Sequence, residues 1–194
     1  MHRSTAVLPY GPTRIGSSYG AAADGMVDPA EVAAGLARSA GWPGAASLSE
    51  RSWRRVALTP KFDAWLIVWP RGGEIDLHDH GDSRGALLVI EGVLTEFVPQ
   101  WDGTGCLQLQ RLDLWAGTTH RLGGGLVHSV TNESDRHALS LHVYSPALSS
   151  MTFFDLAGDD LVARAGRWRA GDDEDHASPA GWREAWSDRQ SAPR

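Results

Sequence analysis

Cysteine is nearly absent from this sequence: one in 194 residues, against eight histidines and nine tryptophans. A single cysteine excludes an intrachain disulfide framework and any CxxC zinc or redox motif, and it suits a reducing compartment. Positive charge is also short, with 18 Lys+Arg against 24 Asp+Glu and a net charge of −6. No basic stripe is available to neutralise phosphates, which argues against a nucleic-acid partner. No apolar run approaches the roughly 20 residues that span a bilayer, so no membrane association is expected. The first 23 residues hold two arginines but no apolar stretch of the secretory kind. These absences leave the expectation of a cytoplasmic, one-domain protein, long enough to bury a core without staples.

What is present falls into three stretches. Residues 1–50 read as a Gly/Ala/Ser/Pro-rich lead-in with one helix. Asp28-Pro29-Ala30-Glu31 supplies an N-cap, a proline at the first helical position and an acid three residues after the cap. Val32 and Leu36 share a face of that helix, which should end near Ser39 to Gly41. Residues 51–157 carry short apolar runs, Ala64–Trp69, Ala86–Ile90, Leu107–Leu114 and Ala138–Tyr144, punctuated by glycine turns. Short strands at regular spacing predict an all-β sandwich or barrel. Residues 158–194, with eight acids and six arginines in a Gly/Ala/Asp-rich setting, read as a surface or disordered tail, which Trp168, Trp182 and Trp186 would pin to the barrel.

His78-Asp79-His80 follows the apolar run and a glycine turn. In extended chain, residues i and i+2 share a face, so the two imidazoles converge as ligands of one metal would. One such pair is equally compatible with surface histidines, but its surroundings are specific. Gly72, His78, His80, position 85 and Gly92 reproduce the spacing of the first cupin signature, and Gly117, Gly125, His128 and Asn132 that of the second. The resemblance to cupins implies a double-stranded β-helix (jelly-roll) barrel in which His78, His80 and His128 hold one metal. Two positions depart from the pattern: Gly85 stands where a glutamate ligand is usual, and Gly123 where a proline is usual. Imidazole alone does not select among Fe, Zn, Cu and Ni.

In Leu139-Ser140-Leu141-His142-Val143-Tyr144-Ser145-Pro146, Ser140, His142 and Tyr144 share one strand face. Alternation by itself fits a satisfied polar patch or a solvent face as well as an active-site chain. With His-Asp-His-Gly-Asp-Ser upstream, however, the segment resembles the cysteine dioxygenase family of thiol dioxygenases. That resemblance runs from about Trp53 to Phe154. It implies a mononuclear Fe(II) centre and a small-molecule thiol substrate bound at the metal. Both atoms of O2 pass to sulfur, converting L-cysteine to cysteine sulfinate. Ser140, His142 and Tyr144 become the outer triad, with the tyrosine hydroxyl facing the metal. On the same alignment Arg55 grips the substrate carboxylate, or Arg54 if the alignment slips by one. Arginine there favours cysteine over 3-mercaptopropionate, the alternative substrate; a non-catalytic metal-binding cupin is the alternative of another class. Members of the family are commonly monomers. Animal members have a cysteine at position 85 that crosslinks to the tyrosine, and Gly85 leaves Tyr144 unmodified.

Other residues receive plainer expectations. Asp79 and Ser83 should support loop geometry, and Trp65, Trp69 and Trp115 should be core. His120 is a candidate for the barrel mouth. His2, His137 and His176, Cys106 and the acidic run 172–175 carry no assigned role.

Overall fold

In the computed structural model, residues 26–39, 41–42 and 51–169 are described. The helix begins as its cap predicts: Asp28 Oδ1 accepts the Ala30 N–H at 3.0 Å, and α1 runs Pro29–Ser39. Eleven strands follow among the described residues: β1 (Ser52–Leu58), β2 (Asp63–Trp69), β3 (Glu74–His78), β4 (Arg84–Glu91), β5 (Val93–Trp101), β6 (Leu107–Trp115), β7 (Thr119–Leu122), β8 (His128–Thr131), β9 (Ala138–Ser145), β10 (Ser150–Ala157) and β11 (Asp160–Arg169). They form two antiparallel sheets, ordered β1-β2-β9-β4-β7 and β11-β10-β3-β8-β5-β6. The interleaved order is that of a double-stranded β-helix, as the signatures imply. All four apolar runs lie in strands, in β2, β4, β6 and β9.

Alternation along the central strands decides where each core lies. Ile67 and Trp69 of β2 and Leu87 and Val89 of β4 pack between the sheets against Leu94, Leu114 and Val130. The intervening residues, Leu66, Val68, Leu88, Leu139, Leu141 and Val143, point the other way, onto Ala33 and the Val32 and Leu36 face of α1. The first sheet is therefore covered on both sides, and β9 is buried at every position. Fully burying one such leucine or valine is worth about 1.5–3 kcal/mol. α1 thus belongs to the barrel's core, and the division between 1–50 and 51–157 does not separate two packing units.

Two expectations change. Residues 160–169 are not tail but the strand β11, paired with β10 from Ala157↔Asp160 through Met151↔Trp168. Gly158 takes a φ of 64°, which lets the chain reverse in a two-residue turn; the acid-rich composition concealed the hairpin. Trp115 is 63% exposed at the end of β6 rather than core. Trp182 and Trp186 lie outside the described residues. Among those described, no helix is long and apolar enough to cross a membrane.

Arg121 of β7 pairs with both carboxylate oxygens of Asp28, pinning the helix start to the sheet. This pairing, before the backbone N–H contacts, holds the Asp28 carboxyl below its ordinary value of 3.8. A carboxyl depressed in the folded state stabilises above its unfolded value and loses that contribution as pH falls through the folded one. Asp28→Ala is expected to cost roughly 1 kcal/mol in urea denaturation at neutral pH. The gap to wild type should close as the pH drops below 3.8.

Candidate metal centre

β3 and β8 lie side by side with His78 directly opposite His128. Two residues on, His80 enters from the turn after β3. That turn is held by Asp79, whose Oδ1 accepts the Gly81 and Thr152 N–H groups at 3.1 Å each, and by the Ser83 N–H bonding the His80 carbonyl. Asp79 and the backbone of Ser83 thus take the supporting roles expected of them.

Each ring is oriented from behind. His78 Nδ1–H donates to the Asp76 carbonyl at 2.8 Å, leaving Nε2 bare. His128 Nδ1–H donates to Glu96 Oε1 at 2.5 Å, and its buried Nε2 has no hydrogen-bond partner among the described residues. His80 Nε2 sits 3.1 Å from His78 Nε2. The ligand atoms of all three rings lie within 4.8 Å of one another. Burial, followed by the neighbouring histidines, holds His78 and His80 well below the ordinary value of 6.5, so both are neutral at pH 7. Converging bare nitrogens repel unless a cation stands among them. This donor set fits a transition-metal ion held by His78, His80 and His128.

Beside the histidines, β9 presents its inward face as a hydrogen-bonded chain. Ser140 Oγ lies 3.0 Å from His142 Nε2, His142 Nδ1 3.2 Å from the Tyr144 hydroxyl, and that hydroxyl 3.3 Å from His80 Nε2. Burial drives His142 down to about 3 and pushes the Tyr144 phenol upward, so both are uncharged. His142, Tyr144 and His78 face a cavity of about 420 Å³ walled by Trp53, Trp65, Trp69, Met151 and Phe153. Trp65 and Trp69 are therefore wall as well as core.

The cavity's guanidinium belongs to Arg51; Arg55 is not among the lining residues. Arg51 Cζ lies 5.1 Å from the Trp53 ring centre and 4.8 Å from that of Trp69. Its buried Nε finds no acceptor among the described residues, and burial pulls the group below its ordinary value without discharging it. Arg55 lies instead over Trp65, at 5.3 Å, and alternation puts Arg54 on the opposite face. The placement differs from the expectation for a simple reason. Arg51, Trp53 and Arg55 share one face of the strand, so a period-2 pattern cannot tell which end of it meets the cavity.

Glu96 is a site residue that motif spacing did not reveal. It is fully buried on β5, where Oε1 accepts from His128 Nδ1–H and Oε2 lies 3.0 Å from His120 Nε2. The only sequence signal is a lone acid among apolar neighbours in Leu94-Thr95-Glu96-Phe97. Asn132 of the second signature proves architectural: its amide donates to the Trp69, Pro70 and Arg136 carbonyls, tying β8 to the end of β2. At Gly85, an added Cβ would lie 2.9 Å from Tyr144 Cδ1 and 3.2 Å from Leu122 Cδ1. The phenol ring thus fills the space beside the position where cupins usually carry a carboxylate ligand.

Comparison with known proteins decides what this site belongs to. The family model for cysteine dioxygenase type I matches residues 37–157, which include the three histidines, the β9 chain and Arg51. The chain belongs to the cysteine dioxygenase type I family. Cysteine dioxygenase type 1 of Danio rerio is 32% identical over 107 residues, 49% of this chain and 50% of the fish protein. The chain thus spans about half the length of that curated relative. Among solved structures, a protein with a double-stranded β-helix domain from Klebsiella pneumoniae aligns at a TM-score of 0.45 and 20% identity, over 55% of this chain and 86% of that one. A second, TT1209 of Thermus thermophilus, aligns at 0.41 and 23%, over 58% and 94%. For a cysteine dioxygenase family site, the carboxylate behind His128 should matter as much as a ligand. Glu96→Gln is expected to weaken metal binding about 10–100-fold, read by chelator competition with Co(II). Unchanged affinity would mean that packing alone orients His128.

Proposed function

We propose that this chain carries out iron-dependent dioxygenation of a small thiol, with L-cysteine and O2 as substrates and cysteine sulfinate as product. The observation that carries the reading is one cavity lined by His78 of the three-histidine group, by the Tyr144 phenol, 3.3 Å from His80 Nε2, and by the half-buried Arg51 guanidinium. Family membership supports the reaction class. Fe(II), bound by His78, His80 and His128, would convert the substrate thiol to thiolate and supply the electrons that activate O2. The atoms balance without another reductant: a thiol and O2 together make a sulfinic acid, both oxygens ending on sulfur.

The remaining tasks fall to the chain's own side chains. Arg51 offers a planar fork suited to bidentate pairing with a carboxylate, and the Trp53 and Trp69 indoles flank it. Tyr144 directs its hydroxyl toward the histidines. Trp53, Trp69, Phe153 and Met151 exclude bulk water, which strengthens both interactions. With three imidazole ligands and no carboxylate among them, the metal's charge is left for an anionic substrate to balance.

Protein reconstituted anaerobically with Fe(II) is expected to consume O2 on addition of L-cysteine. Consumption with 3-mercaptopropionate alone would overturn the choice of substrate, and none with either thiol would favour a binding role. Arg51→Gln is expected to raise KM for cysteine about 10- to 100-fold, the worth of a charge-assisted hydrogen bond. Arg55→Gln should leave it within about twofold.

A further inference from the structure

Trp69 ends β2 fully buried, and besides the face it offers Arg51 it makes an edge contact that the proposed reaction does not assign. The face of its ring lies 4.8 Å from Arg51 Cζ, and its Nε1–H donates to Ser140 Oγ at 2.8 Å. The second contact differs in kind from the rest of the β9 chain. A hydroxyl and a phenol can each donate or accept, and a neutral imidazole does both, but an indole N–H only donates. It is the one bond in the chain whose direction is fixed by chemistry.

That direction propagates. Ser140 is fully buried, and the side-chain partners of its Oγ among the described residues are Trp69 Nε1 and His142 Nε2. Oγ accepts from the indole; accepting from His142 as well would strand the hydroxyl proton in the interior, whereas donating it to His142 Nε2, at 3.0 Å, satisfies both groups. His142 then carries its proton on Nδ1 and donates it to the Tyr144 oxygen at 3.2 Å. The phenol's proton is thereby turned away from His142 and toward His80 and the centre of the three histidines, 3.3 Å on. We propose that Trp69 is a positioning residue that sets the donor direction of the whole Ser140–His142–Tyr144 chain with its edge, while its face holds Arg51. One ring thus makes the anion clamp and the phenol donor parts of a single rigid unit. The catalytic consequence rests on the dioxygenase reading; the hydrogen-bond direction does not.

Trp69→Phe removes the N–H and keeps an aromatic face. In metal-free protein with ¹⁵N-labelled histidine, wild-type His142 is expected as the Nδ1–H tautomer. The variant should show a mixture, with Nε2–H appearing as Ser140 becomes free to accept. An Nε2–H tautomer in wild type would overturn the proposal, and that measurement needs no variant to fold. A variant that folds and keeps pure Nδ1–H would overturn it as well. In Fe(II)-loaded protein, kcat for cysteine should fall about 5- to 10-fold, the worth of one hydrogen bond. KM should stay within about twofold, because the face over Arg51 is retained; equal loss in both would mean general disruption and count against the proposal. Should wild type consume no O2 with any thiol, the dioxygenase reading fails while the tautomer result stands on its own.

Discussion

β9 has no solvent side, and the site depends on that. A strand buried on both faces can alternate apolar and polar residues only if each face meets a different environment. Here Leu139, Leu141 and Val143 meet α1, while Ser140, His142 and Tyr144 meet the cavity. Remove the helix and the apolar face would be wet; remove the metal-side partners and the polar face would be a row of unsatisfied groups. The pinning of Asp28 by Arg121 is therefore connected to the phenol, although the two lie on opposite sides of one sheet.

The electrostatics follow the same logic. Burial makes charge costly, so His78, His80 and His142 stay neutral, and two of the converging rings have explicit partners for their second nitrogens: a backbone carbonyl for His78, Glu96 for His128. What burial leaves bare is the set of nitrogens that face one another. Two further groups stand close to the rings: Glu96, whose Oε1 accepts from His128 Nδ1–H, and the Arg51 guanidinium lying against two indoles.

Much of this was legible in the residues. Through the resemblance to cupins, glycine and histidine spacing pointed to the barrel and to the three histidines that converge, because turns and i, i+2 geometry leave marks of fixed length. The β9 chain was visible as a pattern but undecided in meaning, since alternation does not say which face is wet. The arginine that lines the cavity was not legible for a related reason: Arg51 and Arg55 share a face, and only the position of the cavity along the strand separates them. Glu96 left no pattern, because a single acid in a strand looks the same whether it meets water or an imidazole. β11 was missed because an acid-rich composition outweighed the one glycine that turns the chain.

Gly85 bears on the chemical life history of the molecule. The tyrosine ring rests against its bare Cα, and the chain's single thiol, Cys106, is exposed in the turn between β5 and β6. No bond to sulfur can form at position 85, so the phenol is held there by hydrogen bonds and packing alone. At that position the newly folded chain is already in its final covalent form, and a population of this protein cannot divide into matured and unmatured fractions through that link.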